Sequence, residues 1–162
     1  MAQIDIKNCT IKFVDGTTPT ANELQVKVGE GNLTWTEKRN ILFIKDRGHL
    51  DLVREGDKVP VEVSLSFVWQ FLQGMSTDVT PTPEEVLKQS GPASSWVTTD
   101  SDTCRPYAID IVVLDVLNCG GTDDEKITLS DFRYESLDHD LKAGTVAMTG
   151  KCNITSATAV RF

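Results

Sequence analysis

Residues that commonly build chemical sites are scarce in this sequence. Its 162 residues include two histidines, His49 and His139, and four cysteines, Cys9, Cys104, Cys119 and Cys152, with no CxxC pair. Zinc sites usually draw their ligands in closely spaced pairs, so this scatter argues against a metal centre. Asp138 and Asp140 flank His139, but alternate neighbours on one chain need not converge, and the stretch reads as a solvated turn. Asp123, Asp124 and Glu125 lack the spaced oxygen ligands and the glycine of an EF-hand and read as an acidic hairpin tip. No GxSxG, P-loop or dinucleotide fingerprint occurs. Nothing here nominates a catalytic residue, a cofactor site or a metal site, and the expectation is of a protein that is not an enzyme.

Positive charge is also in deficit. Lys and Arg number 16 against 24 Asp and Glu, for a net charge of −8 and a pI near 4.7. A grip on nucleic-acid phosphates needs a basic face, so specific nucleic-acid binding is not expected. Long apolar runs are missing as well: none approaches the ~18 residues of a membrane span. The opening "MAQIDIKNCTIKF" alternates polar and apolar residues, unlike the charged and then greasy segment of a signal peptide. Synthesis and retention in a cytoplasm are therefore expected, the Asn-X-Thr matches at Asn8, Asn32 and Asn153 read as chance, and most of the thiols are expected to be reduced. A Cys104–Cys119 bond is disfavoured further, since ends of one extended strand of that length lie roughly 40 Å apart, beyond disulfide reach.

What the sequence does have is period-two patterning. In "VPVEVSLSFVWQFL", Val59, Val61, Val63, Leu65, Phe67, Trp69 and Phe71 share one face, the signature of a long strand with one buried side. Ser64, Ser66 and Gln70 alternate with them, as Thr155, Ala157 and Ala159 do near the end of the sequence, and small uncharged faces suit subunit packing or a channel wall. Leu24, Val26 and Val28 predict a second strand, and Leu33 and Trp35 a third. At the start, the apolar phase moves from Ile4 and Ile6 to Cys9, Ile11 and Phe13, which predicts a bulge or bend in a continuing strand. In the second half, residues 107–117 read as a strand. Ile127 and Leu129 and then Phe132 and Tyr134 read as another, with a bulge near Ser130 and Asp131 where the phase changes. Turns are expected at residues 118–126 and 136–144, and Val146, Met148, Ile154, Val160 and Phe162 close the pattern.

One helix is predicted, over about residues 83–90. Thr82 can cap it, Pro83 fits the first helical position, Glu85 completes a capping box, and Gly91 offers a left-handed stop before Pro92. Two turns are too short to stand alone, so Val86 and Leu87 must dock on the sheet, and Trp96 should pin the polar connector that follows. The expected fold is mainly β: an antiparallel sandwich or barrel with one short helix, a single domain over residues 1–162.

The segment "TEKRNILFIKDRGHLDLVREGD", residues 36–57, interrupts this pattern. Five acids and five fixed bases cancel, and Ile41, Leu42, Phe43, Ile44, Leu50, Leu52 and Val53 lie among them. A structureless connection of that length is uncommon in a compact domain and is usually functional or disordered, and this one is too apolar for simple disorder. It is expected to be a long inter-strand loop that something covers, with Gly48 supplying a backbone turn. One alternative is a loop folded back over an edge of its own sheet.

Taken in order, "GEGNLTWTEKRNILFIKDRGHLDLVREGDKVPVEVSLSFVW", the capped helix, "CRPYAIDIVVLDVLNCGG" and "ITLSDFRYESLDHDLKAGTVAMTGKCNIT" resemble a bacteriophage tail tube protein over nearly the whole chain. That resemblance implies two packed sheets, a flanking helix and a long early loop, as in the tube protein of type VI secretion. It implies homohexameric rings stacked into a tube through which the phage genome passes without specific binding, in a virion tail assembled in the host cytoplasm. Tail sheath, tape measure and tail terminator proteins would be further partners; no cofactor and no membrane is implied. On this reading Ile41, Phe43, Arg47, Gly48, Leu50 and Arg54 make contacts between subunits or rings. The loop would be mobile in a lone subunit and ordered by its neighbours. A monomeric β-sandwich binding module and a tail adaptor or completion protein are the competing readings.

Overall fold

The computed structural model describes residues 4–69, 80–115 and 124–161. Ten strands and one α-helix follow one another as β1 (Cys9–Val14), β2 (Glu23–Val26), β3 (Leu33–Thr36), β4 (Ile41–Asp46), β5 (His49–Glu55), β6 (Val61–Val68), α1 (Pro83–Lys88), β7 (Ile109–Asp115), β8 (Glu125–Asp140), β9 (Thr145–Cys152) and β10 (Thr158–Arg161). The main sheet has the order β2-β1-β7-β8-β9-β6-β3, with β10 also paired to β8, while β4 and β5 form a sheet of their own. Every pairing is antiparallel.

The long strand β8 folds this sheet over on itself. Residues 125–132 pair with β7, and residues 132–140 pair with β9. At the handover the register slips where Ser130 and Asp131 oppose Asp110, and Asp131 takes a left-handed φ of 55°. The expected bulge is therefore present, and a second slip lies between Tyr134 and Ser136. Bulges raise local twist and bend a strand, so β2-β1-β7 and β9-β6-β3 close on a shared core. Strands β9 and β10 run along β8 in the same direction, interrupted at residues 153–157.

Alternation builds that core. Val61, Val63, Leu65 and Phe67 of β6 are buried opposite Ile109, Ile111 and Val113 of β7 and Ile11 and Phe13 of β1 in one cluster. Gly150 makes the crossing of β8 and β9 possible. An added Cβ there would collide with the carbonyl oxygen of Arg133 and lie 2.7 Å from the Phe132 ring. The aromatic ring fills the space that the glycine leaves.

Helix α1 has the predicted start: the Thr82 hydroxyl accepts from the Glu85 amide at 3.3 Å, Pro83 occupies the first turn, and Val86 and Leu87 are buried. It stops two residues early. Gln89, not Gly91, adopts the left-handed cap (φ 52°), held there by its Nε2 donating to the Trp96 carbonyl oxygen at 2.7 Å. Gly91 instead opens a short 3₁₀ turn with a positive φ of its own. Two other expectations are corrected. The early phase change comes from a 3₁₀ turn over Ile6–Asn8, anchored by the Asp5 carboxylate on the Lys7 amide, not from a bulge. His139 lies in β8, not in a turn: its ring sits 4.9 Å from that of Trp69, and its Nε2 is 2.7 Å from the Glu84 carboxylate of α1. Val160 is exposed on β10 because β10 is an edge strand with no sheet stacked on it. Gln70, Phe71, Leu117, Cys119, Asp123 and Phe162, with residues 118–123 of the expected acidic turn, lie outside the described residues.

Candidate functional site

Between β3 and β6 the chain leaves the main sheet and returns after a two-stranded hairpin. Residues 36–57 are thus correctly placed as an excursion between sheet strands but are not structureless. Ile41 pairs with Glu55, Phe43 with Val53 and Ile44 with Leu52, until a bulge lets Lys45 face Leu50. Arg47 and Gly48 close the tip with φ of 52° and 82°. Two consecutive left-handed residues make the turn whose twist matches that of the flanking strands, so Gly48 does supply a backbone turn, with Arg47 sharing it. Gly56 donates to the Asn40 carbonyl at 2.7 Å to close the root. The Ala157 amide donates to the Glu37 carboxylate at 2.7 Å, and Lys38 faces Glu62 at 3.6 Å, so the root is fastened to the domain.

Among the described residues, nothing covers the blade beyond the root. Neither β4 nor β5 contributes to the core among the described residues, and the segment forms a hairpin of its own. Register places Phe43 and Val53 on one face with Leu50 beyond them, and Leu42, Ile44 and Leu52 on the other. All six are exposed, Phe43 at 60% and Leu50 at 70%. An isolated hairpin is marginal in water, and one apolar on both faces presents a patch of the kind that marks an association surface. Of the residues nominated from sequence, Ile41 is half-buried at the root, Phe43 and Leu50 share a face, Arg47 and Gly48 form the tip, and Arg54 lies across from Leu42. Leu42, Ile44, Leu52 and Val53 are equally available and were not singled out. Their signal was the unbroken run "ILFI", which serves a strand apolar on both sides. None of the charged groups from Lys45 to Glu55 takes part in an ion pair among the described residues.

Among the described residues three carboxylates elsewhere are buried, and two of them have structural partners. Asp15 accepts from Thr17, Asn22 and the Val97 amide. Burial alone would raise its carboxyl, but these bonds bring it below the usual range. Asp100 takes the guanidinium of Arg133 at 2.6 Å and lies 3.6 Å from that of Arg105, and backbone and Arg133 hydrogen bonds likewise lower it. The exception is Asp115, buried at the end of β7 with no hydrogen-bond partner for either carboxylate oxygen among the described residues. Among the described residues, no cluster of three or more His, Cys, Asp or Glu could hold a metal ion, and no helix is long and apolar enough to cross a membrane.

Cys9, Cys104 and Cys152 are free thiols. Burial, with Asp110 and Asp131 nearby, pushes the Cys152 thiol up to about 12, whereas Cys104 is exposed. Thiolate is the reacting form. Native protein treated with a disulfide reagent at pH 8 is expected to modify Cys104 promptly and Cys152 at least about a thousandfold more slowly, read by peptide mass mapping over time. Equal rates would mean that the β9 end of the core opens freely.

No protein-family model matches the chain, and no curated protein sequence matches it. Solved structures do share its fold. The sheath/tube terminator of an extracellular contractile injection system (PVC) aligns with a TM-score of 0.58 at 10% identity, over 99% of this chain and 98% of that one. The tube-terminating cap of the anti-feeding prophage gives 0.58 at 12% identity, over 100% and 93%. The SPP1 tail tube gives 0.53 at 9% identity, over 99% and 80%. The chain therefore has the fold found in tail tube and tube-terminator subunits.

Proposed function

We propose that this protein is a structural subunit of a phage-type tail, a single domain that assembles with copies of itself into hexameric rings stacked as a tube. The observation that carries the reading is the hairpin: on this fold, a rooted blade apolar on both faces needs a neighbour. Two of the three buried acids among the described residues, Asp15 and Asp100, are committed to holding loops. The rings would sit in the virion tail after assembly in the host cytoplasm, meeting sheath, tape measure and terminator proteins at their surfaces. Six copies, each carrying −8, would make the wall of the lumen repel DNA phosphates, so that the genome passes without sticking.

A second reading, a terminating ring that closes a tube instead of extending it, draws support from the two terminator folds, which align over nearly their full lengths. Negative-stain electron microscopy of the purified protein across a concentration series separates the readings. Open-ended tubes support the tube subunit, single rings that never stack support the terminator, and dispersed particles at every concentration would sink both in favour of a monomeric binding module.

A further inference from the structure

We propose that the hairpin tip of one copy docks into an apolar groove at the open edge of the next copy's sandwich, with Arg47 facing the acids at the end of that groove. This rests on the self-assembly reading above and names the surface that receives the hairpin. The groove lies between the start of the described chain, β3 and the β1-β7-β8 half-sheet. Ile4, Ile6, Leu33, Trp35, Val113 and Ile127 line it, around a cavity of about 260 Å³. Small-molecule pockets run to ~300–1,000 Å³ and carry convergent polar groups. This one is smaller and lined mainly by aliphatic and indole side chains, with Asn32 and the Cys9 thiol the polar exceptions, a shape for one or two inserted apolar residues. Ile4 and Ile6 are each more than two-fifths exposed, so the groove extends on to the surface as a ledge.

Charge selects the occupant. Cys9, Asp115 and Glu125 stand opposite one another across β1, β7 and β8 at one end of the groove. Asp5 joins them, since its charge and that of Asp115 both act on the Cys9 thiol. Asp115 is buried with both oxygens lacking a hydrogen-bond partner, and neither Asp5 nor Glu125 is in an ion pair among the described residues. Asp5 and Glu125 reach the surface beside it, and a guanidinium is the group best suited to pair with such carboxylates. The hairpin carries such a cation at its tip, Arg47, with Lys45 beside it and Leu50 and Phe43 behind; among the described residues neither cation is in an ion pair and both apolar side chains are exposed. Apolar residues behind a terminal cation match an apolar trough that ends in acids. Hairpin and groove are different surfaces of one chain, so the contact is heterologous, and repeated copies generate a ring or a filament instead of a closed pair.

The test is a charge exchange read by sedimentation and electron microscopy, with thermal melting as the folding control. Arg47→Glu and the double variant Asp5→Lys/Glu125→Lys should each raise the concentration needed for assembly about tenfold or more. Combining them should return it to within about threefold of the unaltered protein. A second measurement does not depend on tolerating charge changes: in a Cys9→Ser/Cys104→Ser background, Leu50→Cys with Ile6→Cys, oxidised after assembly, should give a covalent ladder on non-reducing electrophoresis that Leu50→Cys alone does not. Failure of the unaltered protein to assemble would defeat the self-assembly reading and this contact with it. Normal assembly by the reversed variants, or assembled particles without a ladder, would defeat this contact alone and assign the hairpin to another surface.

Discussion

Replacing Phe43 and Leu50 together with serine is expected to leave a folded, soluble subunit that no longer assembles. Both side chains are exposed in the single chain and absent from its core, so unfolding should shift by no more than about 0.5 kcal/mol, as for other surface changes. Assembly should suffer far more. Burying a Phe or Leu is worth about 1.5–3 kcal/mol each, so each contact loses about 3–6 kcal/mol, on the order of a hundred- to ten-thousandfold in its equilibrium. The measurements are thermal melting and a concentration-dependent polymerisation assay on each variant. An early-melting variant that still polymerises whenever folded would mean that the hairpin stabilises its own subunit and makes no contact with the next.

Phe67→Ala should do the reverse. Phe67 is 1% exposed and pairs with Val146 across β6 and β9, within the cluster both half-sheets share. Truncating a buried phenylalanine removes its transfer free energy and leaves a cavity, about 3–5 kcal/mol together. That is a large fraction of the ~5–15 kcal/mol that stabilises a domain of this kind, so the variant should unfold at much lower denaturant with little soluble native protein at 37 °C. Whatever fraction remains native keeps its hairpin and should still join assemblies formed by the unaltered subunit. A native-like denaturation midpoint would mean that β6 does not sit in the core as described. The two substitutions separate folding from assembly, since exposed apolar residues and buried ones draw on the same hydrophobic effect in different states.

Much of this was legible in the sequence because it is local. Alternation at Val61, Val63, Leu65 and Phe67 specifies one buried face whatever the strand pairs with, because successive side chains point to opposite sides. The Thr82, Pro83 and Glu85 signature specifies a helix start within four residues. The phase change from Leu129 to Phe132 points to a bulge, because an extra residue within one strand lets both face inward. The excursion at residues 36–57 was also visible, from its length and its unburied hydrophobes. Its two strands were not: "ILFI" lacks the alternation that normally reports a half-buried strand, and a blade apolar on both sides gives the same pattern as a fully buried segment.

Tertiary structure decided the rest, where distant residues had to meet. Gln89 took the left-handed cap because Trp96, seven residues on, offers a carbonyl oxygen to its side chain. His139 left its expected turn because β9 extends β8 as far as Asp140 and α1 brings Glu84 to its ring. The groove of Ile4, Trp35, Val113 and Ile127, and the unpartnered Asp115 at its end, draw on four separate stretches of chain. Periodicity records which side of an element is apolar, but only the folded sheet determines which apolar sides cover one another and which, like the two faces of the hairpin, stay exposed.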